Sequence, residues 1–225
     1  MYNYIDNSTP TNNYWEQRYS KSGTSGEGSL GTHRDWKWKT ISNYAGRVDN
    51  VIDVGCGDLS FWDGKNCQTY TGIDISGTIV RKNLGLRPDW NFICSDASVR
   101  QSVRAPVVFC FDVLFHIMDD GVYKSILTNL MAYSDQWIFL YTWVKNPLST
   151  FEARRQIFLD SLKGLKLGFA LNTLVNPVRS DARYQTYRDF REFIPHFQSN
   201  GYRLVSLEKY PYDDVGGMYI FRKSD

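Results

Sequence analysis

Long apolar runs are missing from this sequence. No stretch of ~18 consecutive apolar residues occurs, so no membrane-spanning helix is expected. Nor does a basic segment followed by an apolar one open the chain, so no secretion signal is expected and the cytoplasm is the default compartment. Cysteine is scarce: Cys56, Cys67, Cys94 and Cys110 include no Cys-x-x-Cys pair. That spacing argues against a zinc site or a disulfide framework. Three of the four fall in or beside apolar runs, where cysteine behaves as a small hydrophobe. An excess of one charge is also lacking. With 26 Lys and Arg against 24 Asp and Glu, the net charge of +2 is too small to demand a nucleic-acid partner, although it does not exclude one. Aromatic residues are abundant instead, at 16% of 225 residues. This exceeds what a core requires, and some of these rings are expected to line a pocket.

The length suits one domain, residues 1–225, with a sizeable core. Short apolar runs at 51–54, 70–73, 92–94, 107–111 and 137–142 predict five strands. Helical stretches alternate with them, among them 123–133, with Ile126, Leu127, Leu130 and Met131 inward. Such alternation calls for a parallel sheet with helices on both faces. Runs at 203–209 and 218–221, joined through Asp213-Asp214 and Gly216-Gly217, predict a closing antiparallel hairpin. The expected fold is α/β: a Rossmann-like, doubly wound, mostly parallel seven-stranded sheet with an antiparallel C-terminal hairpin.

Around this frame lie less regular segments. Residues 1–13 are polar, and 14–19 have helical character with Trp15 and Tyr19 on one face. Residues 22–31 form a glycine-serine loop, which reads either as a flexible linker or as amides and hydroxyls gathered round an anionic group. Thr32 or Asp35 is expected to cap a helix running to about Tyr44. Residues 146–183 break the alternation. They read as an insertion whose helix at 151–168 carries Arg154, Arg155, Lys163 and Lys166, either a substrate lid or a packed helix with a solvated basic face. A further helix is predicted over 187–198, stopped near Gly201.

Chemistry concentrates at 51–58, Val-Ile-Asp-Val-Gly-Cys-Gly-Asp, where an apolar strand runs into two glycines. A glycine turn that ends a buried parallel strand lets a ligand approach the backbone, as at the nucleotide corner of a doubly wound sheet. Asp74 follows at the tip of the next strand, where an acid can accept hydrogen bonds from an adenosine ribose. Asp96 and Asp112 end the third and fourth strands, on the edge where such sheets bind ligands. A nicotinamide dinucleotide fits poorly, because Ser60 stands where a third glycine is usual and Asp58 would repel a pyrophosphate. No phosphate-loop lysine is present. Asp53 and Asp58 suit instead a ligand that is cationic at its centre and carries an ammonium group.

These residues carry a family resemblance. Asp53-Val54-Gly55-Cys56-Gly57-Asp58 is similar to the first motif of class I S-adenosylmethionine-dependent methyltransferases, and 70–76 (Tyr-Thr-Gly-Ile-Asp-Ile-Ser) to the second. Asp96-Ala97-Ser98 falls at the adenine contact, and 111–117 (Phe-Asp-Val-Leu-Phe-His-Ile) at the fourth motif. A narrower likeness joins Tyr14-Trp15, Arg18-Tyr19, the loop at 25–31 and Lys37 to a subgroup found near polysaccharide-building enzymes. The resemblance implies S-adenosylmethionine as cofactor. Its contacts would be Asp53, Gly55, Cys56, Gly57, Asp74, Ile75, Asp96, Ala97, Asp112 and Val113, with residues 1–45 folded over it and Trp15 and Tyr19 as wall. Leu59 departs from the family's usual glycine, and the insertion after Thr142 is longer than usual.

A methyltransferase for a small molecule or a sugar unit, acting at oxygen, is therefore the expected function. His116, just past the fourth strand, is the candidate general base, or else a brace for its loop. Arg183 and Tyr184 are candidate substrate contacts. A metal held by Asp112, Asp119 and Asp120 is disfavoured, since adjacent acids on a regular element diverge. RNA or protein as acceptor, and a non-catalytic cofactor-binding module, are the alternatives.

Overall fold

The computed structural model describes residues 10–147 and 185–224, with the side chains of 10–13 set aside. The expected 151–168 helix, Arg183 and Tyr184 lie outside the described residues.

The strands are β1 (Asn50–Val54), β2 (Thr69–Asp74), β3 (Asn91–Cys94), β4 (Ala105–Phe111), β5 (Ser134–Trp143), β6 (Tyr202–Lys209) and β7 (Gly216–Lys223). They form one sheet in the order β3-β2-β1-β4-β5-β7-β6. β1 to β5 are parallel, and β7 runs antiparallel to both β5 and β6. This is the expected seven-stranded fold. Val54 of β1 sits level with Ile73 of β2 and Cys110 of β4, so three strand tips end together where the order reverses.

Alternation along the strands feeds a core on each face. Phe109 and Phe139 point with Ile41, Phe61, Trp62, Tyr70 and Trp90 to one side. Val108, Cys110, Ile138 and Leu140 point to the other, against Ile126, Leu127 and Leu130 of α4 (Asp120–Tyr133). Cys56, Cys67 and Cys110 are buried and free, as small hydrophobes are expected to be. No helix among the described residues is long and apolar enough to cross a membrane.

The remaining helices are α1 (Pro10–Ser20), α2 (Gly31–Ala45), α3 (Gly77–Leu86) and α5 (Ile194–Ser199). Two expectations need correction. Leu30, with no side-chain cap, precedes α2. Thr32 is engaged elsewhere, its Oγ1 2.9 Å from the Tyr210 hydroxyl, and Asp35 pairs with Arg34. The helix expected over 187–198 is also shorter: a 3-10 turn (Phe190–Phe193) leads into α5. Pro195 is the reason, because a residue without an N–H fits the first turn of a helix and not its interior.

Phe109 is fully buried, with Phe111, Phe139, Trp38, Phe61 and Trp62 ringed within 6.1 Å. Phe109→Ala is expected to lower unfolding stability by about 3–5 kcal/mol, measured by chemical denaturation.

Candidate functional site

A cavity of about 260 Å³ opens at the carboxyl ends of β1 to β4, where the strand order reverses. Ligands of open α/β sheets bind at such a switch point. Its floor is the glycine turn after β1. The amides of Gly55 and Cys56 both donate to Ile73 O, at 2.8 and 3.2 Å, so the turn is bonded to β2. Gly55 and Gly57 have φ of 78° and 55°, which only glycine adopts without strain. A Cβ on Gly57 would lie 2.1 Å from Ser25 Oγ, so the turn must stay bare where the N-terminal segment crosses it.

Asp74 ends β2 in the cavity wall. Its Oδ2 accepts the Gly57 N–H and its Oδ1 the Ser76 N–H, both at 2.9 Å. Burial dominates and pushes its carboxyl up to about 6, against the lowering effect of the amides. Asn83 fixes the same turn from α3, donating Nδ2–H to Gly57 O at 2.7 Å. Asp53 also lines the cavity, but its Oδ2 accepts from Trp62 Nε1 at 2.9 Å and Tyr70 OH at 3.1 Å. Burial again raises the carboxyl to about 6.

Cys56, Ile75, Asp96, Ala97 and Val113 line the same space, and Asp96 turns its own loop by accepting Ser98 N–H at 2.8 Å. Asp112 follows β4 in left-handed backbone, φ 59°, and faces the cavity. His116 lines it too, only 9% exposed, between the rings of Phe115 and Trp15, whose edge-on centroid is 5.1 Å away. Of the residues named from the sequence for the cofactor, Gly57 alone lies behind the wall.

The roof is N-terminal. Trp15 and Tyr19 stack at 5.8 Å and line the cavity. Glu16 fastens α1 across the start of α3, accepting from Ser76 Oγ at 2.6 Å, Thr78 N at 3.2 Å and Thr78 Oγ1. The glycine-serine loop is no slack linker. Arg18 Nε donates to Thr24 O at 2.6 Å, and Ser25 donates its N–H and Oγ–H to the two oxygens of Asp58 at 3.0 and 2.7 Å. The sequence suggests that Asp58 faces a ligand; its carboxylate instead holds this loop. Burial raises that carboxyl, but hydrogen bonds from Ser25 and Ser60 outweigh it and keep it below the usual carboxylate range.

Sequence reasoning assigned no role to Glu16, Ser25, Ser29 or Lys37. Ser29 lines the cavity, and Lys37 lies buried behind Asp112. Ser25, Ser29 and Lys37 were signalled only by their place in the narrower likeness, and Glu16 by nothing. Five carboxylates line the cavity (Asp53, Asp74, Asp96, Asp112 and Asp119), and among the described residues no Lys or Arg does. This field favours a ligand with positive charge. Asp119 caps α4 through Val122 N–H and Asp120 pairs with Arg188. Among the described residues no cluster of three or more His, Cys, Asp or Glu could hold a metal.

No protein-family model and no curated protein matches the sequence. Solved structures do match. Magnesium protoporphyrin IX methyltransferase from Synechocystis, with bound SAH, superposes with a TM-score of 0.62 at 15% identity, over 95% of this chain and 98% of that one. The N-methyltransferase NodS from Bradyrhizobium japonicum, in complex with S-adenosyl-L-homocysteine, gives 0.61 at 12%, over 96% and 100%. The fold is the Rossmann-like methyltransferase fold. The methyltransferase domain of bacterial CtHen1 gives 0.58 at 15%, over 84% and 96%.

Asp53 offers a test of the buried charge. With its carboxyl raised from 3.8 to about 6, the folded chain keeps a proton through that window that the unfolded chain has released. Stability therefore falls as pH rises from about 4 to about 6. Asp53→Asn can still accept from Trp62 and Tyr70. It is expected to be more stable than wild type at about pH 8, by on the order of 3 kcal/mol, with the difference gone by about pH 4. Denaturation curves at the two pH values check this.

Proposed function

We propose that this chain is an S-adenosylmethionine-dependent methyltransferase acting on a small molecule. The observation that carries the reading is Asp74. Two backbone amides fix its carboxylate at the rim of an acid-lined cavity, with lone pairs left to accept from a ribose diol. The donor set fits such a ligand: carboxylates for a sulfonium and an ammonium, apolar Ile75, Ala97 and Val113 for an adenine, and no cation for a phosphate chain among the described residues. Structural neighbours that hold S-adenosylmethionine or its homocysteine product give further support.

The cofactor supplies an activated methyl group when bound. The chain then has to hold an acceptor in line with it and keep water out. Trp15 and Tyr19 cover the cavity and do the second. Asp112 serves the ammonium of the methionine end, and Asp96 and Ala97 flank the base. His116 has its ring at the cavity wall, where it takes the proton of an acceptor hydroxyl. The reaction is O-methylation of a small molecule or sugar unit, with Arg183 and Tyr184 as acceptor contacts. Cytoplasmic location goes with this reading.

Incubation with methyl-labelled S-adenosylmethionine and a fractionated cell extract tests the acceptor. Label in small molecules or free glycans supports it, and label in RNA or protein overturns it. Asp74→Ala is expected to weaken cofactor binding by about 1–3 kcal/mol, read by calorimetry. His116→Ala is expected to leave that affinity near wild type while turnover falls about 10²-fold, as for loss of a general base.

A further inference from the structure

Lys37 is a lysine with 0% of its surface exposed. Burying an ammonium is unfavourable unless charge and hydrogen bonds compensate it. Here three groups do so. Its Nζ lies 2.5 Å from Asp112 Oδ2 and donates to Gly28 O at 2.8 Å, and it sits 4.1 Å from the centre of the Tyr141 ring. α2 and the turn at Glu27–Ser29 just before it thus meet the tip of β4, some 75 residues further on, at one charge.

The contact is tight on the turn's side as well. A Cβ on Gly28 would lie 2.5 Å from Asp112 Oδ2, so the turn rests directly on that carboxylate. Asp112 itself is held in left-handed backbone, a conformation that is unfavourable for a residue with a side chain. Its N–H donates to Tyr141 O at 3.2 Å, so the backbone is fixed from β5 and the side chain from α2. Asp112 and Ser29 both line the cavity.

We propose that Lys37 is a positioning residue, which acts on a bound ligand only through Asp112 and the glycine turn seated on it. The ammonium aims the Asp112 carboxylate into the cavity and clamps the turn over it. The clamp rests on geometry alone; the effect on a ligand rests on the cofactor reading above.

The test uses the full chain and the variants Lys37→Met, Asp112→Asn and their combination. Amide exchange at residues 26–30 is followed without ligand, and S-adenosylmethionine affinity is measured by calorimetry. Lys37→Met is expected to speed exchange at these amides at least tenfold while β1 and β4 amides stay protected. It is also expected to weaken cofactor affinity at least tenfold. In the Asp112→Asn background the same change should cost less than threefold in affinity, because the charged partner through which Lys37 reaches the ligand has gone, while exchange still rises because the bond from Lys37 to Gly28 O is lost in either background. Unchanged exchange, or affinity losses that add across the two positions, would overturn the proposal. If Lys37→Met does not fold, Gly28→Ala pushes the turn off Asp112 with Lys37 intact, and should give the same faster exchange and weaker binding. Wild type that binds no S-adenosylmethionine would overturn the cofactor reading, and the exchange measurement would then decide the clamp by itself.

Discussion

The N–H of Gly57 donates to the carboxylate of Asp74, and the arrangement of the site follows from that bond. It joins the turn after β1 to the tip of β2, the strand beside it. The carboxylate is nearly out of water, and burial raises its pKa, so the charged form is held at a cost. Two amide donors offset part of that cost, each charge-assisted bond contributing roughly 1.5–3 kcal/mol. Asn83 secures the carbonyl of the same glycine, which leaves this residue little freedom on either side. A turn fixed in this way keeps the strand tips level and the space between them open.

Around that fixed floor the N-terminal segment makes a roof that polar contacts anchor at three points. Glu16 reaches α3, Ser25 and Asp58 exchange three hydrogen bonds, and Lys37 joins the glycine turn to β4. The three anchors reach residues just past β1, β2 and β4, so the roof is sewn to the same strand tips that form the wall. The glycines at 28 and 57 are bare because roof and floor touch there, with an oxygen of Asp112 or Ser25 in the space a Cβ would take.

The parallel core was legible because each buried strand is a short, nearly continuous apolar run. The hairpin was legible from its glycine and aspartate turn, and the acids at the strand tips from their register with those runs. The cap of α2 was not, since nothing local indicates that Thr32 is claimed by Tyr210, 178 residues away. Pro195 is a visible signal that outweighs the apolar spacing of Phe190, Phe193, Ile194 and Phe197. Asp58 reads as an acid for a ligand because its position beside the glycines is visible, while its partner Ser25 lies in a loop whose composition looks slack. Lys37 leaves no trace in composition at all. A buried ion pair needs two positions to be close in space, and a residue's type does not report that.

The roof also has a consequence for the order in which the chain can be built. Its partners all come later: Asp58 and Ser76 about a third of the way along, Asp112 near the middle, and Tyr210 close to the end. A ribosome therefore releases α1 and α2 well before any surface exists for them to settle on. Such distant pairings are slow to close, because the intervening chain must first be ordered. The roof is thus made before the sheet that seats it, and its aromatic side chains have no partner surface until that sheet has formed.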